Sequence, residues 1–417
     1  MATQLRIVTK LMFCTLLVFY YSAELVQGSP KLSPLDLTVL VSIKNSLTDL
    51  PGSSFFSSWN FTDPNPCLTF AGVTCTLSPP GMLRVTTLEL GTGLSGSLGL
   101  AGSLPETVSD LGELTQLILN PGMVTGPIPA KLGRLKKLRV LFLSHNRLTG
   151  PIPESITELT QLHTVDLSYN HLTGTIPTAL LTELTQLKVL VLAGNNLSGE
   201  LPSSSLSLIH LDLKYNNLVG PIPKTLPLTV RYVSLSHNLM WGPINGTTLK
   251  TSPNLYYLDL SYNLFSGTLP TTFLRPSLST LLLSHNRFSG EVTVPAAGAV
   301  EYPGGATVDL SHNGFSGGLP EAAAGAENVF LNDNRFSGPI PEAYGEGIRK
   351  GVIKTLYLQH NFLDEFPKNV GPTLPENAEV CLAYNCMVPP LGLDTCPTSD
   401  GGLVSRPAAQ CSVFRNG

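Results

Sequence analysis

Eleven asparagines recur along this chain at intervals of 24, 25, 21, 22, 25, 23, 27, 21, 27 and 24 residues: Asn146, Asn170, Asn195, Asn216, Asn238, Asn263, Asn286, Asn313, Asn334, Asn361 and Asn385. Each closes the same frame. Residues 138–146, 162–170, 187–195 and 208–216 read L-x-x-[LV]-x-L-x-x-N, and the frame runs on with apolar substitutions and with worn first positions at Gly305 and Ala326. Two earlier turns, 85–93 and 114–122, put Gly93 and Gly122 where the asparagine stands elsewhere, which brings the count to about thirteen turns. A period held this long excludes an ordinary compact domain and calls for a stack of like units.

Side chains along a strand alternate between its faces, so in the segment 140–144 Leu141 and Leu143 point inward while Val140, Phe142 and Ser144 face outward. Each turn thus supplies one short parallel strand. One turn cannot bury its own leucines; stacked turns share a core and pair their backbones edge to edge. The recurrent asparagine carries two amide donors and an acceptor, enough to satisfy backbone groups at the bend that follows. After most asparagines comes x-[LFM]-x-G-x-[ILV]-P, as in Leu148-Thr149-Gly150-Pro151-Ile152-Pro153, where Gly opens bend conformations and Pro stops a strand or helix from continuing. These turns form the flank outside the concave face.

Charged residues are 13% of the 417, about half the ~25% usual for globular chains, and Gly and Pro number 38 and 34. The formal net charge of −4 directs the chain to neither nucleic acid nor anionic membrane. Arg6 and Lys10 precede the apolar run 11–21, with small residues near Gly28 and Ser29, the order of a secretory signal spanning 1–28. Its apolar core is shorter than the ~20 residues a spanning helix needs. Cleavage would leave Cys67, Cys75, Cys381, Cys386, Cys396 and Cys411, an even set at the two ends that suits disulfides in an oxidising compartment. Asn60, Asn196 and Asn245 head glycosylation acceptor triplets. Beyond Cys386 there is neither a spanning run nor a lipid-anchor tail, so the mature chain is expected to be secreted to the extracellular space or cell wall without a membrane span. No phosphate-cradling glycine loop, H-E-x-x-H, G-x-S-x-G or kinase motif occurs, so no enzyme activity, cofactor or metal is expected.

The frame L-x-x-L-x-L-x-x-N-x-L-x-G-x-I-P resembles the plant-specific class of leucine-rich repeats over roughly residues 85–385. Upstream, Asp36 through Trp59 and then Cys67 to Cys75 look like the N-terminal cap of plant extracellular repeat proteins, with Phe70 where the family often has Trp. The resemblance implies an α/β repeat solenoid, a right-handed superhelix with a parallel β-sheet on its concave face. It also implies a cap disulfide between Cys67 and Cys75, with Trp59 packed over the first turn. Residues 29–84 would be the N-terminal cap, 85–385 the solenoid and 386–417 the C-terminal cap, whose four cysteines allow three pairings.

Within this superfamily the implied role is recognition of an extracellular peptide or protein, a receptor-kinase ectodomain among them. The alternatives are an inhibitor of a microbial wall-degrading enzyme such as polygalacturonase, a subgroup whose turn count this chain exceeds, and a structural wall protein, for which the repetitive Ser-Pro stretches are missing.

The column between the two inward leucines reads Glu89, Ile118, Phe142, Asp166, Val191, Asp212, Ser234, Asp259, Leu282, Asp309, Phe330 and Tyr357. The candidate partner-binding residues are Phe142, Asp166, Val191, Asp212, Asp259, Leu282, Asp309, Phe330 and Tyr357 from it, with Tyr232 and Tyr257 beside it. Aspartates at alternate turns, ~10 Å apart, are too distant to share a metal or act as an acid–base pair, and are expected as a solvent-exposed acidic stripe for a basic partner. A second column, just before the ladder asparagines, holds His145, Tyr169, Tyr215, His237, Tyr262, His285, His312, His360 and Tyr384, five of the eight histidines in the chain. Imidazoles there would gain charge in a mildly acidic extracellular space.

Overall fold

A computed structural model describes residues 30–91, 99–204, 206–223, 226–244, 252–292, 301–370, 373–390, 396 and 405–411; the expected signal segment lies outside them. The chain is a leucine-rich-repeat solenoid. Thirteen parallel strands, from Met82–Leu90 to Glu379–Cys381, follow one another in chain order in a single sheet, and the antiparallel strand Val73–Ser78 closes its N-terminal edge. Pairing keeps the repeat frame in register: Val140 faces Thr164, Leu141 faces Val165 and Phe142 faces Asp166. Equivalent positions of successive turns therefore form straight columns across the sheet.

The core runs the length of the stack. Leu138, Leu141, Leu143, Leu148, Ile152, Ile156, Leu159 and Leu162 of one turn are all buried, and later turns repeat them. In four successive turns the second residue after the ladder asparagine is aromatic, and Phe265, Phe288, Phe315 and Phe336 form a spine with centroids 5.8 to 6.4 Å apart. Each apolar side chain removed from water stabilises by about 1.5 to 3 kcal/mol, and the benefit depends on the neighbouring turns being present.

Every ladder asparagine from Asn146 to Asn385 does the work its frame predicts. Asn170 donates from Nδ2 to the carbonyls of Leu143, Leu167 and Ser168 at 2.9 to 3.2 Å, and its Oδ1 accepts the Leu148 N–H at 3.0 Å. One buried side chain thus satisfies four backbone groups on two turns. Gly122 replaces it in an early turn, where a Cβ would stand 2.7 Å from the Leu100 carbonyl and 2.8 Å from Asn146 Oδ1.

The Leu-x-Gly segments after the ladder also pair, which the turn-only reading missed. They build flank sheets of seven and six strands, staggered so that Pro127 lies beside Thr149 and Thr149 beside His171. Glycines in the left-handed region, such as Gly150 with φ 77°, let these strands bend back toward the core. Short 3-10 turns such as Glu154–Glu158 and the helix Glu342–Arg349 complete the outer side.

At the N-terminus the helix Pro34–Ser46 is held to the first long strand by buried Asp36, which accepts the Val85 N–H at 2.8 Å and pairs with Arg84 at 3.0 Å. Trp59 stacks on Phe70 at 5.1 Å and donates to the Ala71 carbonyl, so its ring partners lie inside the cap, where the resemblance placed it over the first turn. Cys67 is bonded to Cys75, and the open C-terminal choice resolves as Cys381–Cys396 and Cys386–Cys411.

Candidate ligand-binding face

Three outward columns were expected on the concave sheet, but the third is closed almost throughout and the second is closed at Asp212, Ser234 and Asp259. The third, which begins at Ser144, is buried at Ser144, Ser168, Ala193, Ser236, Ser261, Ser284, Ser311, Asn332 and Gln359. Lys214 is the half-open member.

The aspartate stripe is likewise less exposed than expected. Asp212 and Asp259 are each 7% exposed, while Asp166 and Asp309 are half-buried. The cause is local. In the Asp-x-Ser turns Oδ1 accepts both the N–H and the hydroxyl of the serine two residues on, at 2.9 and 2.6 Å for Asp166 and at 3.0 and 2.6 Å for Asp259 and Asp309. Asp212 instead pairs with Lys214 Nζ at 3.3 Å. Burial opposes the Lys214 charge, yet Asp212 outweighs it and raises the lysine pKa.

Between these carboxylates lies the densest group of rings on the open columns. His210, Tyr232 and Tyr257 come from three successive strands, each paired in register with the next. Their centroids are 4.2 Å apart at both steps, with interplanar angles of 3° and 10°. Burial pushes the Tyr232 and Tyr257 phenols up, helped by the negative charge of Asp212 and Asp259, and burial pulls His210 down. The sequence reading singled out the two tyrosines and missed His210 and Lys214. His210 stands at the same place in its turn as Tyr232, so the column register carried the signal. Elsewhere on the face Phe330 meets Tyr357 edge to face at 5.3 Å, and Phe142, Val191 and Leu282 are half-buried.

The column before the ladder asparagines has an unforeseen backbone. His145, Tyr169, Tyr215, His237, Tyr262, His285, His312, Asp333, His360 and Tyr384 all have φ between 52° and 61°, in the left-handed region that costs a non-glycine residue roughly 1 to 2 kcal/mol. Stacking accompanies that cost. Tyr215, His237, Tyr262, His285 and His312 form one pile with centroids 4.0 to 4.2 Å apart. Gly194 interrupts the column, because the Tyr169 ring fills the space where its Cβ would be. At the far end Arg406 covers Tyr384 and Phe362 at 4.6 and 4.0 Å.

The flank sheets offer no such continuity, since their neighbouring positions mix proline, hydroxyl and charge. Among the described residues no group of three or more His, Cys, Asp or Glu side chains gathers to hold a metal ion, and no helix is long and apolar enough to cross a membrane. Asn60 and Asn196 are exposed, and Asn245 lies outside the described residues.

Comparison with known families and structures agrees with this geometry. Residues 33–76 match the leucine rich repeat N-terminal domain, and residues 137–159, 161–182, 186–206, 207–228 and 254–275 match the leucine rich repeat. No curated protein matches the chain significantly. Among solved structures, a plant ice-binding protein is similar at 28% identity and a TM-score of 0.55, over 70% of this chain and 90% of that one. PEPR1 in its structure with AtPEP1 is similar at 27% identity and a TM-score of 0.64, over 86% of this chain, which spans only 56% of that one. The ectodomain of the receptor kinase GASSHO1/SCHENGEN3 from Arabidopsis thaliana, at 23% identity and a TM-score of 0.50 over 84% of this chain and 53% of that one, shares the fold.

Proposed function

We propose that this chain, a leucine-rich-repeat protein of the plant extracellular class, captures an extracellular peptide or protein segment on its concave sheet. The observation that carries the reading is the stack of His210, Tyr232 and Tyr257, half-buried and unshielded on the open columns, with Asp212, Lys214 and Asp259 beside it. Rings held rigid by their neighbours offer large contact area at little entropic cost, the property that makes aromatic residues dominate interfaces. Asp166 and Asp309 stay half-open on the same column, and a segment carrying basic groups opposite them fits best. Phe142, Val191, Leu282, Phe330 and Tyr357 extend the contact surface along the stack. The similarity to PEPR1, whose structure was solved with AtPEP1, supports a peptide as the kind of partner.

Three disulfides and the exposed acceptor asparagines Asn60 and Asn196 support an extracellular setting. The test is affinity capture from plant extracellular fluid with the wild-type protein and with a Tyr232→Ala/Tyr257→Ala variant. A partner retained by the first and lost by the second supports the reading. A partner retained equally by both overturns it, and a captured wall-degrading enzyme that loses activity on binding would assign inhibition as the outcome.

A further inference from the structure

A further column runs along the edge where each concave strand begins. Arg139, His163, Lys188, Ile209, Arg231 and Tyr256 occupy it in six consecutive turns. The backbone N–H of each donates to the carbonyl of the one before, at 2.8 to 3.0 Å, so the column is unbroken. Its order is regular. A permanent cation, Arg139, Lys188 or Arg231, alternates with an imidazole, an aliphatic side chain or a phenol. Arg139 and Arg231 are exposed and Lys188 is half-buried, while Ile209 and Tyr256 are 40% and 48% exposed.

Among the described residues none of these three cations has a carboxylate partner, whereas the nearby Lys136 and Lys137 are paired with Glu158 and Glu113 at 2.7 and 2.6 Å. The other acids on the same turns are turned to different work. Asp166 and Asp259 hold serine hydroxyls, Asp212 pairs with Lys214, and Glu183 ends the outer helix Thr178–Thr182. At the start of the column an open notch of about 510 Å3 is lined by Thr115, Gln116, Lys136, Lys137, Arg139 and Gln161, none of them acidic. The edge therefore presents positive charge that the chain itself leaves unanswered.

The spacing selects the shape of what answers it. Neighbouring strands lie ~4.8 Å apart, so cations at every second turn are about 9.6 Å apart. An extended strand returns to the same face after roughly 6.6 Å, and an α-helix after seven residues and about 10.5 Å, so both fall out of step. A polyproline II helix has three residues per turn at a rise of ~3.1 Å, and every third side chain returns after roughly 9 Å. We propose that this edge binds an acidic, proline-rich peptide segment in the polyproline II conformation. A carboxylate at every third residue meets Arg139, Lys188 and Arg231 in turn. The prolines between pack on His163, Ile209 and Tyr256, as apolar and aromatic grooves receive such helices elsewhere. The site is separate from the ring stack and does not rest on the capture reading.

Calorimetry tests it with three probes of equal net charge: a peptide of three Glu-Pro-Pro repeats, a peptide of three glutamates followed by six prolines, and an oligogalacturonate with three carboxylates. The wild type should bind the repeat peptide roughly tenfold more tightly than the block peptide, and less tightly as salt is raised. Arg139→Gln/Lys188→Gln/Arg231→Gln should lose the preference. Ile209→Glu, a single change at an exposed position between two cations, should lose it as well and guards against misfolding of the triple variant. Equal affinity for the two peptides, no binding of either, or a preference that survives in both variants overturns the proposal. Binding of the oligogalacturonate with neither peptide bound also overturns it, and assigns an acidic sugar chain to the edge.

Discussion

The rings of Tyr232 and Tyr257, contributed by neighbouring strands, lie parallel at 4.2 Å with their phenols beside Asp212 and Asp259. Burial is the first cause of their raised pKa, and nearby negative charge adds to it. A phenol whose folded-state pKa exceeds the unfolded value of ~10 stabilises the fold below that value and loses the contribution as the pH rises through the folded pKa. Tyr302, half-buried on the outer side and pushed up to about 12 by burial of its hydroxyl, acts in the same direction. Spectrophotometric titration should therefore show phenols that ionise only when the solenoid opens, and Tyr232→Phe/Tyr257→Phe should remove two of them and flatten the alkaline loss of stability. Normal early ionisation of all tyrosines would show that these rings are not packed as described.

The asparagine ladder predicts a cost that differs from that of a surface substitution. Asn238→Leu removes the side-chain acceptor of the buried Leu218 N–H and one donor each from the carbonyls of Leu213, Leu235 and Ser236, which keep Asn216, Asn263 and the Tyr215 N–H. At about 1 to 3 kcal/mol for a buried group left unpaired, the loss should be about 1 to 3 kcal/mol. Denaturant unfolding measures the total. Hydrogen exchange should locate the opening in the turns on either side of residue 238, since stability in a solenoid is passed between neighbours. A shift in the midpoint of under about 0.5 kcal/mol would remove the ladder from the account.

Within the C-terminal cap, Cys386–Cys411 ties the tail back to the residue after the last ladder asparagine, with a sequence separation of 25. Opening a loop of that length costs about 3 kcal/mol in chain entropy. It also frees Arg406, whose guanidinium covers Tyr384 and Phe362 and whose Nε donates to the Asn361 carbonyl. Cys386→Ser/Cys411→Ser should unfold at lower denaturant and be cut by protease near residue 406 first. Unchanged resistance there would mean that the tail is held by its other contacts.

Much of this architecture was legible because a two-residue period and a fixed asparagine spacing leave one solution. Leu141 and Leu143 had to be inside, and Asn146 had to serve the bend. What escaped the sequence depends on how close the turns come to one another. Ser144 alternates like an outward residue yet is fully buried. Asp166 is spelled like a free carboxylate yet spends one oxygen on Ser168. The left-handed backbone of Tyr215 and Tyr262 is not written in residue preferences, which favour glycine and asparagine there. His210 was missed because it was read as one residue, when its meaning lies in the column it shares with Tyr232.

Covalent side-chain footprinting of the protein, alone and with a partner captured from extracellular fluid, tests the central claim most directly. The account predicts protection of Tyr232, Tyr257 and His210 on the concave sheet, while Trp241, 52% exposed on the flank, keeps its reactivity. Protection of Trp241 with Tyr232 and Tyr257 unchanged would contradict it.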